Sequence, residues 1–289
     1  MGAPTWIWEN TISMKNYGVE LELSYDVIKN HDFTWTVGGN ITSLKNKILE
    51  LPADRDLDGK GYRNSLYYYK VGNSIYDFYL YEYAGVDPAT GSALWYYDEK
   101  DTDGNVTGRN VTPDYASAQY YENGKSALSD FYGGLNTSLS WKGLDLSVDA
   151  SYAIGGYTYD SQYSSFMNNM DSPGRGIHKD VEARRWTTPG QVTDVPKLQF
   201  GLQNQNAQSD RFLTSRSYFS LQNITLGYTL SKRLTNKLGI ERIRLYLAAD
   251  ELYLKSARKG FDPRLYVSGS STNAYAALRS TSFGLNINF

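Results

Sequence analysis

The sequence predicts an all-β chain, an antiparallel sheet forming part of a transmembrane β-barrel, and three observations carry that prediction. The 289 residues include 26 Tyr, 10 Phe, 6 Trp and 26 Gly but no Cys, and the mean hydropathy of −0.52 is too polar for helical membrane spans. Apolar and polar residues alternate with period two over run after run, the signature of strands with one apolar and one wet face. Finally, the connections between those runs alternate between short and long, as in outer-membrane barrels with short periplasmic turns and long extracellular loops.

The runs follow in order. Val19, Leu21, Leu23 and Tyr25 alternate with Glu20, Glu22 and Ser24. After the turn Lys29-Asn30-His31-Asp32, Phe33, Trp35, Val37 and Ile41 alternate with Thr34, Thr36 and Asn40, so the two runs form a hairpin. Further strands are expected near 74–84 and 92–97. Phe131, Leu135, Leu139 and Trp141 then alternate with Tyr132, Asn136, Ser138 and Ser140, and Lys142-Gly143 leads into the most regular strand. There Leu144, Leu146, Val148, Ala150, Tyr152 and Ile154 oppose Asp145, Ser147, Asp149 and Ser151. Two aspartates on one strand face are costly in a dry core and tolerated beside a water-filled lumen. Strands near 217–230 and 240–252, and a last one from Ala277, bring the expected number to nine. Short connections fall at 29–32, 85–91, 142–143 and 231–239, long ones at 44–73, 98–128, 155–216 and 253–276, which places every short turn on the side of a periplasmic C-terminus.

Charge and composition exclude several classes. With 29 basic and 31 acidic residues the formal charge is −2, so no bulk field favours nucleic acid. Without cysteine there are no disulfides, thiolate metal sites or cysteine nucleophiles. No run reaches the about 20 apolar residues of a membrane helix, and Met1-Gly2-Ala3-Pro4-Thr5-Trp6 lacks a basic start and an apolar signal core. A strand needs only about 9–11 alternating residues to cross. His31 and His178 are the only histidines, no nucleophile or phosphate-loop motif is present, and neither catalytic residues, a metal site nor a cofactor is expected.

The chain ends Ser282-Phe283-Gly284-Leu285-Asn286-Ile287-Asn288-Phe289. Phe283, Leu285, Ile287 and the terminal Phe289 have the form of an outer-membrane assembly signal, an exposed strand offered to the barrel-assembly machinery with its apolar face toward lipid.

Several motifs are spaced along the chain: Asn16-Tyr17-Gly18-Val19-Glu20-Leu21, Asn46-Lys47-Ile48, Gly85-Val86-Asp87-Pro88-Ala89-Thr90-Gly91, and Trp186-Thr187-Thr188-Pro189-Gly190 with Asp194 and Pro196. Leu221-Gln222-Asn223-Ile224-Thr225-Leu226-Gly227-Tyr228 and Lys259-Gly260-Phe261-Asp262-Pro263 complete the series. Each is weak alone, and their order and spacing are specific. Together they resemble the C-terminal third of SusC/RagA-type TonB-linked outer-membrane transporters over the whole chain. One departure is Ala249-Asp250-Glu251-Leu252, where the family usually has asparagine before the leucine. The resemblance implies a barrel of roughly 22 strands with a plugged lumen, importing large nutrients, oligosaccharides or peptides. It further implies energy from the TonB complex, acting through N-terminal parts not found in residues 1–289, and a SusD-like surface lipoprotein as lid. The plug domain and signal peptide have no counterpart in this sequence, which is therefore expected to be one portion of a larger barrel in the lipid bilayer.

Among the loops, Tyr120, Tyr121, Tyr163, Phe166 and Trp186 are the candidate ligand contacts. The dense aromatics Tyr67-Tyr68-Tyr69, Tyr76, Tyr79, Tyr81, Tyr83, Trp95, Tyr96 and Tyr97 fit either sugar stacking or, preferably, an aromatic belt at the bilayer interface. Asp54-Arg55-Asp56-Leu57-Asp58-Gly59 resembles the start of a calcium loop, yet its twelfth position is Ser65 rather than glutamate, which favours a solvated loop. Two other functional classes fit parts of the pattern: a soluble, aromatic-rich carbohydrate-binding β domain, and a small self-contained outer-membrane pore.

Overall fold

The computed structural model describes residues 12–168, 174, 176–202, 204–271 and 273–289. Residues 1–6, read above for an export signal, lie outside these. Seven strands form one antiparallel meander: β1 (Ser13–Lys29), β2 (Phe33–Glu50), β3 (Phe131–Trp141), β4 (Leu144–Ile154), β5 (Tyr218–Thr229), β6 (Arg242–Lys255) and β7 (Ser280–Asn288). Each pairs only with its sequence neighbours within this sheet.

The register turns the period-two pattern into two continuous faces. One row runs Trp35, Leu139, Leu146, Leu226, Leu247, Phe283 across six strands. On the opposite face run Asn136, Asp149, Asn223, Asp250 and Ser280. These polar side chains bond across strands: Asn223 Nδ2 donates to Asp250 Oδ1 at 2.6 Å, and Ser280 Oγ to Asp250 Oδ2 at 2.8 Å. Leu21, Leu23, Leu135, Leu226, Leu247 and Phe283 on the other face are exposed. An apolar sheet face uncovered over this width is the arrangement a lipid environment stabilises.

Glycines in the wall make room for its largest side chains. Arg244 pairs with Asp145 directly over Gly227, where an added Cβ would lie 2.5 Å from Asp145 Oδ2. Likewise the Tyr246 ring lies over Gly284 of β7.

At one end the strands join through 30–32, 142–143 and 230–241, and at the other through the long segments 51–130, 155–217 and 256–279. The expected sorting therefore holds for the short connections at 29–32, 142–143 and 231–239 but not for 85–91, and the expected nine strands become seven in the wall. The segments near 74–84 and 92–97 are strands of the long 51–130 connection, and 85–91 is a turn within it rather than a periplasmic one. The mistake has a physical source. Phe78 and Leu80, and Ala93 and Trp95, alternate because one side of each strand is buried in protein, and period two marks a half-buried strand whatever covers it.

The three long connections pack into a layer of their own. It contains a four-stranded sheet (Tyr62–Asn64, Tyr67–Tyr69, Asp77–Tyr81, Tyr120–Ser126), a three-stranded one (Tyr83–Val86, Ala93–Lys100, Val106–Thr112) and a pair (Tyr157–Tyr159, Leu213–Ser215). Two short helices, α1 (Ser161–Phe166) and α2 (Lys179–Arg184), complete it. Its core gathers Leu66, Phe78, Leu80, Tyr159, Met167, Val181, Val195 and Phe212 from two connections. No described helix is long and apolar enough to cross a membrane.

β1 and β2, at 17 and 18 residues, outrun the other wall strands and carry this layer. Asn46 Oδ1 accepts from the Ile75 backbone N–H at 2.9 Å while its Nδ2 donates to Asn16 Oδ1 at 2.7 Å. Ile48, fully buried, exchanges backbone hydrogen bonds with Gly72 and Asn73. The Asn46-Lys47-Ile48 motif is thus the seat of the first long connection.

Candidate functional site

The loop layer concentrates aromatic rings in one place. Tyr68 stacks on Tyr79 at 4.3 Å between centroids, Tyr79 on Tyr120 at 5.5 Å, Tyr120 meets Tyr81 at 4.1 Å, and Tyr81 meets Tyr115 at 4.3 Å. Trp95, buried, closes the series edge-on to Tyr115. Cross-strand pairing explains the alignment: Tyr79 and Tyr81 alternate on one side of Asp77–Tyr81, and Tyr120 pairs directly with Tyr81. The remaining rings are half-exposed, which leaves a ribbon of aromatic edges and faces open to solvent.

One cation sits on this ribbon and a second on the rings behind it. The Arg63 guanidinium lies 4.1 Å from the Tyr120 centroid, and Arg109 lies 4.3 and 4.4 Å from those of Tyr96 and Tyr121. Arg63 also donates to Gln208 Oε1 at 2.8 Å, and Arg109 pairs with Glu82. Tyr121 O–H donates to Asp98 at 2.8 Å and accepts from Gln119 at 3.0 Å. Burial, then the Asp98 carboxylate, push the Tyr121 phenol up to about 12. Burial against its neighbours also raises the phenols of Tyr79, Tyr115 and Tyr120. All stay neutral hydrogen-bonding groups at ordinary pH. Stacked rings flanked by guanidinium and phenol groups suit flat, hydroxyl-rich or amide-rich ligands.

The five sequence candidates separate here. Tyr120 lies on this ribbon; Tyr121, the next residue, points to the other side of the strand, where it meets Asp98 and Arg109. Tyr163 belongs to a different cluster: its ring meets His178 and Phe212 edge-on, and its hydroxyl donates to Asp180 at 2.7 Å and accepts from Arg184 at 2.9 Å. Phe166 is exposed on α1. Trp186 is a loop clamp: its indole covers Gly91, whose added Cβ would lie 2.5 Å from Trp186 Cδ2, and Nε1 donates to the Pro88 carbonyl at 3.0 Å. Thus the Gly85–Gly91 and Trp186–Gly190 motifs, far apart in sequence, are two halves of one contact. The aromatics assigned to a bilayer belt, Tyr67 to Tyr83 and Trp95 to Tyr97, lie in the loop layer instead. Residues the sequence reading missed as a unit are Tyr115, Arg63 and Arg109, for which no local pattern exists.

Other charged groups hold loops together. Asp160, only 1% exposed, caps α1 by accepting the Tyr163 N–H at 2.9 Å and pairs with Arg258 of the third connection. Arg264 binds both Asp262, at 2.7 Å, and Glu251, at 2.8 Å. Glu251 has φ 53 in a β-bulge opposite Gln222, the left-handed conformation that asparagine tolerates better than glutamate. The departure Glu251 therefore occupies a strained position that its ion pair with Arg264 compensates. In the Asp54–Gly59 loop, Asp56 Oδ1 accepts the Gly61 N–H at 2.6 Å and Lys60 neighbours Asp58. No metal-holding cluster of His, Cys, Asp or Glu occurs among the described residues.

The terminal residues Phe283, Leu285, Ile287 and Phe289 lie exposed along one face of β7 and its end. β7 is an edge strand, paired only with β6.

No family model matches the chain. Curated relatives do: TonB-dependent receptor P3 of Formosa agariphila is 26% identical over 97% of the chain, and TonB-dependent receptor SusC of Bacteroides thetaiotaomicron 27% identical over 97%. The match spans 29% and 27% of those proteins' own lengths. Among solved structures, the RagAB peptide transporter superposes with a TM-score of 0.80 at 29% identity, over 97% of this chain and 30% of that one. The "open-open" state of the RagAB peptide importer gives a TM-score of 0.73 at 27% identity.

Proposed function

The chain is of the SusC/RagA type of TonB-dependent receptors, and from that premise we propose that it forms the barrel wall and part of the outer vestibule of an outer-membrane importer of large nutrients. The observation that carries this reading is the seven-stranded meander with an exposed apolar face, a polar opposite face and all long connections at one end. A soluble carbohydrate-binding domain would leave the row from Trp35 to Phe283 uncovered in water, and a self-contained pore would leave the edges of β1 and β7 unpaired. Unpaired backbone in hydrocarbon costs several kcal/mol per group. Strands of the complete receptor beyond these seven close the barrel in this proposal.

Transport rather than catalysis is the proposed role. The polar face lines the lumen, and the tyrosine ribbon, with Tyr120 and Tyr121, contacts oligosaccharide or peptide cargo at its mouth. Phe166, exposed on α1 of the same layer, is a further proposed contact. A SusD-like lipoprotein covers the loop layer, the TonB complex supplies energy through other parts of the complete receptor, and β7 with Phe289 presents the signal to the barrel-assembly machinery. The test is uptake by cells carrying the complete receptor, with Tyr79, Tyr81 and Tyr120 replaced together by alanine. Surface level should be unchanged and uptake of labelled oligosaccharide or peptide pools should fall at least about tenfold, since stacking contributes about 0.5–1.5 kcal/mol for each ring pair and three rings are removed. Unaltered uptake of every pool would remove the ribbon from the cargo path. For the terminal signal, deletion of Phe289 should lower the amount of assembled barrel; an unchanged amount would remove that role.

A further inference from the structure

The three short connections differ in how they handle charge. Lys29 is paired with Asp26 at 2.8 Å, and Lys142 lies 3.4 Å from Asp32, so the first two turns neutralise their own cations. The third, 230–241, carries Lys232, Arg233 and Lys237 against one acid, Glu241, and none of the three is in an ion pair among the described residues. It is also the only short connection among them with helical structure, α3 (Lys232–Thr235) followed by a 3-10 turn over Asn236–Leu238.

This turn is held in place. Leu230 N–H donates to the Ile243 carbonyl at 2.9 Å, Ile240 N–H to Thr235 at 3.1 Å, and Glu241 N–H to Asn288 at 2.9 Å, tying the turn to both β6 and β7. Thr235 is buried beneath it. Leu234, between the cations, is nevertheless 53% exposed. The adjoining strand ends carry exposed apolar residues of the wall: Trp141, Tyr228, Leu245 and Leu285. A rigid cap with unneutralised cations and an exposed leucine, continuous with an apolar wall, has the composition of a membrane-interface anchor.

We propose that the 230–241 turn binds anionic phospholipid headgroups of the leaflet facing the short turns, with Lys232, Arg233 and Lys237 at phosphate level and Leu234 among the upper acyl carbons. The inference depends on the barrel-wall reading, which places the short turns at the inner leaflet. Its chemistry is lipid phosphate held in the interface, because free phosphate would use the cations but have no use for Leu234.

The test uses the complete receptor, purified in mild detergent with equal amounts of phosphatidylglycerol and phosphatidylethanolamine, and native mass spectrometry to count retained lipids. The wild type should retain phosphatidylglycerol preferentially. Replacing Lys232, Arg233 and Lys237 together by glutamine should reduce that preference at least about fivefold, the factor for about 1 kcal/mol at an anionic surface. Leu234→Asn, with the charges intact, should weaken retention of both lipids. Added inorganic phosphate at millimolar concentration should leave the preference in place. An unchanged preference in the triple variant, or none in the wild type, overturns the proposal. So does a triple variant that keeps its lipids but loses resistance to urea, which would assign the cations to an acidic protein segment. Retention of no lipid by a protein monodisperse without detergent would instead sink the barrel reading itself.

Discussion

Replacing Gly227 by alanine tests how the polar face of the wall is built. The new methyl would enter the space filled by the Asp145 carboxylate and the Arg244 guanidinium, 2.5 and 2.6 Å from the two carboxylate oxygens. Both are ends of flexible side chains, so the wall strands need not move, but the pair must separate. Arg244 Nε donates to Asp145 Oδ1 at 3.1 Å, and Nη2 donates to Oδ2. The side chains are 19% and 36% exposed, between a surface pair at about 0.2–1 kcal/mol and a buried charged hydrogen bond at about 1.5–3 kcal/mol. Separation therefore costs about 1–2 kcal/mol. Alanine in place of glycine in a strand contributes about 0.5–1 kcal/mol in the other direction, for a net loss of about 0–1.5 kcal/mol. In a background carrying Asp145→Ser and Arg244→Ser there is no pair to displace, and the same substitution should stabilise by about 0.5–1 kcal/mol. The assay is urea unfolding of the complete receptor in lipid vesicles, comparing midpoints in the two backgrounds. An effect of the same sign and size in both would mean that the Asp145–Arg244 pair does not fill the space over Gly227.

Trp186→Ala should free the Pro88 and Gly91 turn and open the segment around Arg184 and Arg185 to trypsin, by roughly tenfold for an opening made about 1.4 kcal/mol easier; unchanged cleavage would mean that the two motifs do not brace each other. Glu251→Ala should cost about 1–2 kcal/mol by removing the Arg264 pair while keeping the left-handed strain, and Glu251→Asn should cost clearly less because asparagine relieves that strain. Equal melting midpoints for the two variants would contradict the bulge account. Burial pushes the phenols of Tyr67, Tyr83, Tyr121 and Tyr163 up to about 12. Since the folded state holds these protons more tightly, their contribution is full below pH about 10 and is lost as pH rises through about 12. The loop layer should therefore loosen in that window, with a phenolate absorbance step later than that of the unfolded chain; coincident titrations would count against a packed layer.

The wall was legible in the sequence because lipid and lumen impose period two directly on the residues. Leu144 to Ile154 show both faces without any partner in view. What the pattern does not encode is the identity of the covering material, so Phe78 and Leu80, buried in loop core, read like lipid-facing residues. β2 also runs to Glu50 rather than stopping near Ile41, because Asn46 and Ile48 continue the alternation against the 70–77 turn. The tyrosine ribbon was legible as a dense run of aromatics but not as one stacked unit. Its members are joined by pairings such as Tyr81 with Tyr120 and by Arg63 with Tyr120, contacts made by tertiary folding across long stretches of chain. Trp186 had a visible motif, yet its role depends on Gly91, 95 positions earlier in the sequence, and only their approach distinguishes a clamp from a ligand contact.

A membrane wall has a lipid side and a water side, and two positions on β4, 146 and 149, report on one each. Leu146 lies in the apolar row with Leu139 and Leu226, and Asp149 in the polar row with Asn136 and Asn223. With a single cysteine at 146 or at 149 in the complete receptor in outer membranes, the first should react with a lipid-dissolved maleimide and resist a charged, water-soluble one. The second should show the reverse. Equal labelling of both by the water-soluble reagent, or the opposite pattern, would contradict the barrel-wall account.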